Sequence, residues 1–159
     1  TAGKLVHVVG GGGLGSEIFR LLIEQGMKVS TGVINIGDSD WQEAQRLGIT
    51  IVEAAPFCPV TLEQTRQNSR LMLQAEYIIL AAIPFGPGNI SNLQSVLEQA
   101  QAGRQVIVVN NMDISKRDYT GGIATELYNK LIACGAAVVE NAGEAVRLIK
   151  GDGFNDYKR

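Results

Sequence analysis

The chain has 159 residues and a formal charge of -2, a length that suits one domain burying its own core. No basic block attracts nucleic acid or an anionic membrane, and the longest apolar run, Tyr77 to Ile83, is far short of the roughly 20 residues that span a bilayer. The two cysteines, Cys58 and Cys134, and the lone His7 have the spacing of neither a disulfide framework nor a metal site.

Short apolar runs alternate with amphipathic stretches along the chain. The runs are Lys4 to Val9, Lys28 to Asn35, Ile49 to Ala54, Tyr77 to Ile83, Gln105 to Asn110 and Ala137 to Glu140. Their continuity, without polar alternation, predicts parallel strands covered on both faces. Between them Ile18/Leu21/Leu22, Trp41/Ala44/Leu47, Ile90/Leu93/Val96/Leu97, Ile123/Ala124/Leu127/Leu131 and Ala142/Ala145/Val146/Ile149 carry the stripe of a helix lying on a sheet. Only Thr61 to Ala75 lacks a tidy stripe. Ser39-x-x-Gln42, Thr61-x-x-Gln64 and Ser91-x-x-Gln94 have the capping-box form, while Gly26, Gly48, Gly103 and Gly135 follow helical stretches that a left-handed residue would close. The expected fold is α/β: a doubly wound, Rossmann-like six-stranded parallel sheet of order 3-2-1-4-5-6 with helices on both faces. One domain over residues 1–150 and a polar tail over 151–159 are expected. The first residue is Thr1 rather than Met, as in a fragment of a longer protein or a processed chain.

Gly10, Gly12 and Gly15, within Gly10-Gly11-Gly12-Gly13-Leu14-Gly15-Ser16, match G-x-G-x-x-G between a predicted strand and a predicted helix. Glycines there permit the tight turn, the approach of backbone to a pyrophosphate and close helix–strand packing, and the helix start offers unpaired N–H groups. The same glycines have the spacing of an ATPase loop, but Ser16 and Glu17 stand where it needs lysine and a hydroxyl, so ATP hydrolysis is not expected here. A dinucleotide site wants an acid at the tip of the second strand. Asn35 and Asp38 are available, although Asp38 to Asp40 equally suit a turn and a helix cap.

The carboxyl edge of such a sheet would also collect Pro56-Phe57-Cys58-Pro59, Pro84-Phe85-Gly86-Pro87-Gly88, Lys116 to Gly122 and Asn141-Ala142-Gly143-Glu144. Arg117 and the amides near Gly121 would hold a second anionic group, or Arg117 and Asp118 would pair with each other at the surface. Catalysis finds little support. Tyr77, Tyr119 and Tyr128 lack a lysine four residues on, and Cys58 has no histidine outside the first strand to activate it.

The phrases "VHVVGGGGLGSEIFRLL", "VSTGVINIGDSDWQEAQRLGI", "EAAPFCPV", "AAIPFGPGNISNL" and "RDYTGG" together resemble the carboxyl-terminal accessory domain of some ATP-binding subunits of ABC importers for iron-siderophores and cobalamin. The resemblance runs from Leu5 to about Val139, with the phrase from Gly32 to Trp41 its most specific part. It implies a cytoplasmic, Rossmann-like domain that follows the ATPase, works beside membrane permease subunits, and senses a nucleotide or a transported metal complex. The family's ATPase motifs are absent from these residues, so none of its catalytic positions carries over. The expected function is a non-catalytic ligand-binding or regulatory domain taking a nucleotide, NAD(P) among the candidates, or another small anion. The alternatives are an NAD(P)-dependent oxidoreductase and a dimerisation module.

Overall fold

The computed structural model describes residues 4–9, 13–32, 39–51, 62–81, 86–87, 90–110 and 116–151. Strands and helices alternate: β1 (Leu5–Val9), α1 (Gly13–Glu24), β2 (Lys28–Thr31), α2 (Ser39–Arg46), β3 (Thr50–Ile51), α3 (Leu62–Gln74), β4 (Tyr77–Leu80), α4 (Ile90–Gln101), β5 (Gln105–Val109), α5 (Ile123–Ala133), β6 (Ala137–Val139) and α6 (Ala142–Ile149). The strands form one all-parallel sheet in the order β3-β2-β1-β4-β5-β6, the order expected from the right-handed crossover rule.

Strand alternation divides the interior into two layers. Val6 and Val8 of β1, Ile79 of β4 and Ile107 of β5 face α1 and α6, where Ile18, Phe19, Leu22, Ala145 and Ile149 are buried. Val9, Ile78, Leu80, Val106 and Val108 face the other way, against Met72 of α3, Leu93 and Val96 of α4 and Leu131 of α5. Buried on both faces, the strands read as continuous apolar runs. The glycines at 26, 48, 103 and 135 all have positive φ, as closing residues of helices do.

One irregular segment is explained and two local expectations change. The segment without a tidy stripe is nevertheless the expected helix, α3, and its inward face carries Asn68, 2% exposed, beside Met72; a buried amide breaks the apolar pattern. Ser91 lies inside α4, which starts at Ile90, so Ser91-x-x-Gln94 is not a cap. On α5, Ile123 is 54% exposed and Tyr128 is buried in its place, its hydroxyl accepting from Asn110 Nδ2 at 3.0 Å.

Asn68 answers a second irregularity, the histidine within an apolar strand. His7 is fully buried on β1, its Nε2 2.6 Å from Asn68 Oδ1 and its Nδ1 2.9 Å from Ser30 Oγ. An amide oxygen only accepts, so Nε2 carries the ring proton and Nδ1 accepts from the Ser30 hydroxyl. Asn68 Nδ2 in turn donates to Asn92 Oδ1 at 3.1 Å. Two strands and two helices are thereby joined through one polar chain, whose members are costly to leave unpaired.

Gly32, just past β2, lies against this polar chain: a Cβ built on it would lie 2.7 Å from Asn68 Oδ1. Gly32→Ala should therefore push Asn68 off His7 and cost about 1–3 kcal/mol, the penalty of a buried donor left unpaired. Urea unfolding tests this most sharply in the Asn68→Ala background. There the additional effect of Gly32→Ala should shrink towards zero, and an undiminished effect would place the cause elsewhere.

Candidate active-edge site and helix starts

β1 ends at Val9 and α1 begins at Gly13, so the run of glycines joins the carboxyl end of a central strand to a helix start. β1 has β2 on one side and β4 on the other. The chain leaves β1 through α1 on one face of the sheet, while α3 enters β4 from the opposite face. Connections that diverge in this way open a crevice at the carboxyl edge. Gly13, Leu14, Gly15 and Ser16 occupy the first turn of α1, with Gly15 buried and Ser16 half-buried. A helix of this length presents its early N–H groups and a partial positive charge at that end. No acidic residue stands in the first turn of α1 to occupy it; Glu17 follows as an exposed residue.

Gly10, Gly11, Gly12, Asn35 and Asp38 lie outside the described residues, as do the Pro56 to Pro59 segment and Pro84, Phe85 and Gly88. The geometry that brings together part of the predicted site is thus the α1 start, with Gly32 at the neighbouring end of β2. Arg117, half-buried, and Gly121, exposed, sit elsewhere, before α5.

At that second place the protein's own carboxylate fills the helix start. Asp118 Oδ1 accepts from the Thr120 backbone N–H at 2.7 Å and from the Thr120 hydroxyl. Its Oδ2 accepts from the Thr125 N–H at 3.0 Å and the Thr125 hydroxyl at 2.6 Å, and Thr120 Oγ1 accepts from Ala124 N–H at 2.9 Å. The hydroxyls of Thr120 and Thr125, followed by their amides, hold the Asp118 carboxyl well below the usual carboxylate range, because each of these bonds favours the charged form. Asp118 therefore turns inward on α5, and it forms no ion pair with Arg117. A shallow groove of about 740 Å³ runs from Asp118 and Gly121 along Thr125 and Asn129 to Ala133.

Asn141 to Glu144, expected as an edge loop, is the capped start of α6. Asn141 Oδ1 accepts from Glu144 N–H at 2.9 Å, and Glu144 Oε2 accepts from Glu140 N–H at 3.0 Å. The short link from β6 leaves the cap and the helix continuous, and an asparagine three residues before a glutamate is a readable signal for it.

Among the described residues, the histidine and one tyrosine are buried in hydrogen bonds. His7 is sealed under α3, and burial pushes its pKa down to about 4, with the Asn68 hydrogen bond acting in the opposite sense. Tyr128 is buried against Asn110, and Tyr119 is exposed. Among the described residues no group of acids, histidines and cysteines has the arrangement of a metal site, and no helix is long and apolar enough to cross a membrane. Cys134 is exposed and free, on the surface after α5.

Residues 29–146 match the model of the MJ0874 family. Over 138 residues, 87% of its length, the chain is 29% identical to the Cobalamin import ATP-binding protein BtuD of two strains of Halobacterium salinarum. It spans only 31% of those relatives. Among solved structures it is similar to AtPrR2 in apo form, with a TM-score of 0.54 and 22% identity over 85% of this chain and 46% of that one. AtPrR2 with NADP+ and (+)pinoresinol gives the same TM-score of 0.54 and identity of 22%, over 87% and 49% of the two chains. At these identities the likeness shows a shared Rossmann-like α/β fold.

Proposed function

The chain belongs to the MJ0874 family, and on that footing we propose that it is a non-catalytic, ligand-binding or regulatory domain that takes a nucleotide or other small anion at the glycine loop. In this reading residues 1–150 form one domain and residues 151–159 a polar tail. The parent protein is an importer's ATP-binding subunit of the iron-siderophore or cobalamin kind, held in the cytoplasm against permease subunits. The observation that carries the ligand site is the run of glycines between the carboxyl end of β1 and the start of α1, at the point where the sheet's connections diverge. The transporter setting is supported by the sequence likeness to the cobalamin import protein. Ligand binding would act on transport by favouring one of two states of the assembly.

An NAD(P)-dependent oxidoreductase is the second reading, favoured by the fold it shares with AtPrR2, whose solved structures include one with NADP+. The buried, hydrogen-bonded state of His7 and Tyr128 counts against it, since a proton donor must reach a substrate.

Thermal-shift and calorimetric titration with ADP, NAD+, NADP+ and cobalamin tests both. A nucleotide at a hundred times its Kd should stabilise the fold by about 2.7 kcal/mol, and Gly12→Asp, which sets a negative charge against the phosphates, should abolish the response. Silence across the whole panel would sink the ligand-binding reading, and hydride transfer from a reduced cofactor to a test carbonyl or imine would favour the oxidoreductase.

A further inference from the structure

The motif Ser91-x-x-Gln94 does not cap its helix; both residues instead line a groove of about 460 Å³ between α3 and α4. Across it stand Arg66, Ser69 and Arg70 of α3, at the spacing that places side chains along one helix edge. At its floor is Ser95, only 7% exposed, whose hydroxyl meets Ser69 Oγ at 3.4 Å. Two hydroxyls sharing one hydrogen bond leave one O–H proton with no acceptor among the described residues. A buried donor of this kind wants an acceptor brought from outside.

The cations are available as well. Arg66 approaches Glu63 only to 4.0 Å, with both side chains more than half exposed, an arrangement worth little in water. Arg70 forms no ion pair among the described residues. Ser91 lies in the first turn of α4, at the positive end of the helix dipole. Among the described residues Glu98 is the one acid lining the groove, a turn beyond Ser95. The lining is therefore chiefly donors and suits an anion rather than a cation. α3 and α4 lie on the sheet face opposite α1.

We propose that the α3–α4 groove is a second anion site, built for the phosphoryl group of a small metabolite, with Arg66 and Arg70 clamping the phosphoryl oxygens, the Ser91 and Ser95 hydroxyls donating to them, and Ser69 holding Ser95 in place through its own hydroxyl. Glu98 limits the charge the groove tolerates and accepts from a hydroxyl of the ligand's organic part. The reading stands whether or not the glycine loop binds a nucleotide.

Amide-resolved NMR titration of the chain tests it, using inorganic pyrophosphate and, separately, glucose 1-phosphate at constant ionic strength. Saturable shifts are expected at Ser69, Ser91, Gln94 and Ser95. Arg66→Gln with Arg70→Gln should raise Kd about tenfold, and Glu98→Gln should lower it about threefold for pyrophosphate, since charge-assisted bonds dominate such contacts. Tighter binding of glucose 1-phosphate than of pyrophosphate would assign the groove to phosphate esters, and the reverse to free polyphosphate. Shifts confined to Gly13–Ser16, shifts reproduced by sodium chloride, or shifts unchanged in the double arginine variant would each overturn the proposal. Should the double variant not fold, Arg70→Gln alone, expected to weaken binding about threefold, carries the same test.

Discussion

Acidification from pH 6.5 to about 4 should remove up to roughly 3 kcal/mol of stability, because His7 enters the fold neutral. An unfolded histidine takes up its proton near pH 6.5, whereas burial keeps the folded His7 unprotonated down to about pH 4. Between those values the unfolded chain binds the extra proton, so the stability contributed by the neutral form is complete above pH 6.5 and falls as the pH drops. It levels off below the folded value, where both states are protonated. The cause is burial: a charged ring at this fully buried position loses its hydration, and the hydrogen bond to Asn68 Oδ1 offsets only part of that loss. Asp118, held low by its threonines, keeps its charge in the folded state across this range. Its own loss of stability begins only near the ordinary carboxylate value, so the upper part of the window reports His7. Urea unfolding at a series of pH values should show this slope and should lose it in the double variant His7→Leu/Asn68→Leu. An equal slope in that variant would assign the effect to other groups.

Phe19→Ala should cost about 3–5 kcal/mol, a large share of the 5–15 kcal/mol that holds a typical domain together. Phe19 is fully buried in α1, among the side chains that seat this helix on β1 and beside α6. Its removal takes away the ring's burial and leaves a void that the packed neighbours only partly fill. The loss has a functional edge, since α1 carries the turn at Gly13 to Ser16: a loosened helix weakens any ligand whose anion rests on that turn. Phe19→Leu, which keeps most of the volume, should cost about 1.5 kcal/mol or less. Denaturant midpoints of the two variants check the pair, and equal, small shifts would mean that the site tolerates collapse around the missing ring.

How much was legible follows from what each residue had to match. The apolar runs and the stripes at Ile18, Leu93 and Val146 were readable because a covered strand and a helix on a sheet impose their own periods. α3 was expected from the alternation, but its stripe was blurred, because Asn68 fills an inward position and its partner, His7, lies on a strand 61 residues away. Taken separately, each looks like a flaw in its element; together they are one hydrogen-bonded pair. Ser91 and Gln94 misled in the opposite direction. Their spacing fits a cap, yet α4 had already started at Ile90, and helix boundaries are the least determinate part of such a pattern. The candidate site divides in the same way. The glycine spacing, the exclusion of an ATPase loop by Ser16 and Glu17, and the closing glycines are local matters that neighbouring residues decide.

By itself, then, the sequence determined the alternation of strands and helices and the strand–glycine–helix pattern at residues 9 to 16, which rest on backbone freedom and short-range periodicity, and the parallel order with β1 at its centre, which follows once the right-handed crossover rule is added. Only the tertiary structure decided that His7 serves the core, that Asp118 spends its carboxylate on the start of α5, and that Arg66, Arg70 and Ser95 meet across one groove. Asp118 finds its partners within seven residues of itself, whereas for His7 and the groove the physical reason is long-range. A polar side chain takes its role from whichever partner comes within about 3 Å, and for these that partner is chosen by how distant elements pack, not by neighbours in the chain.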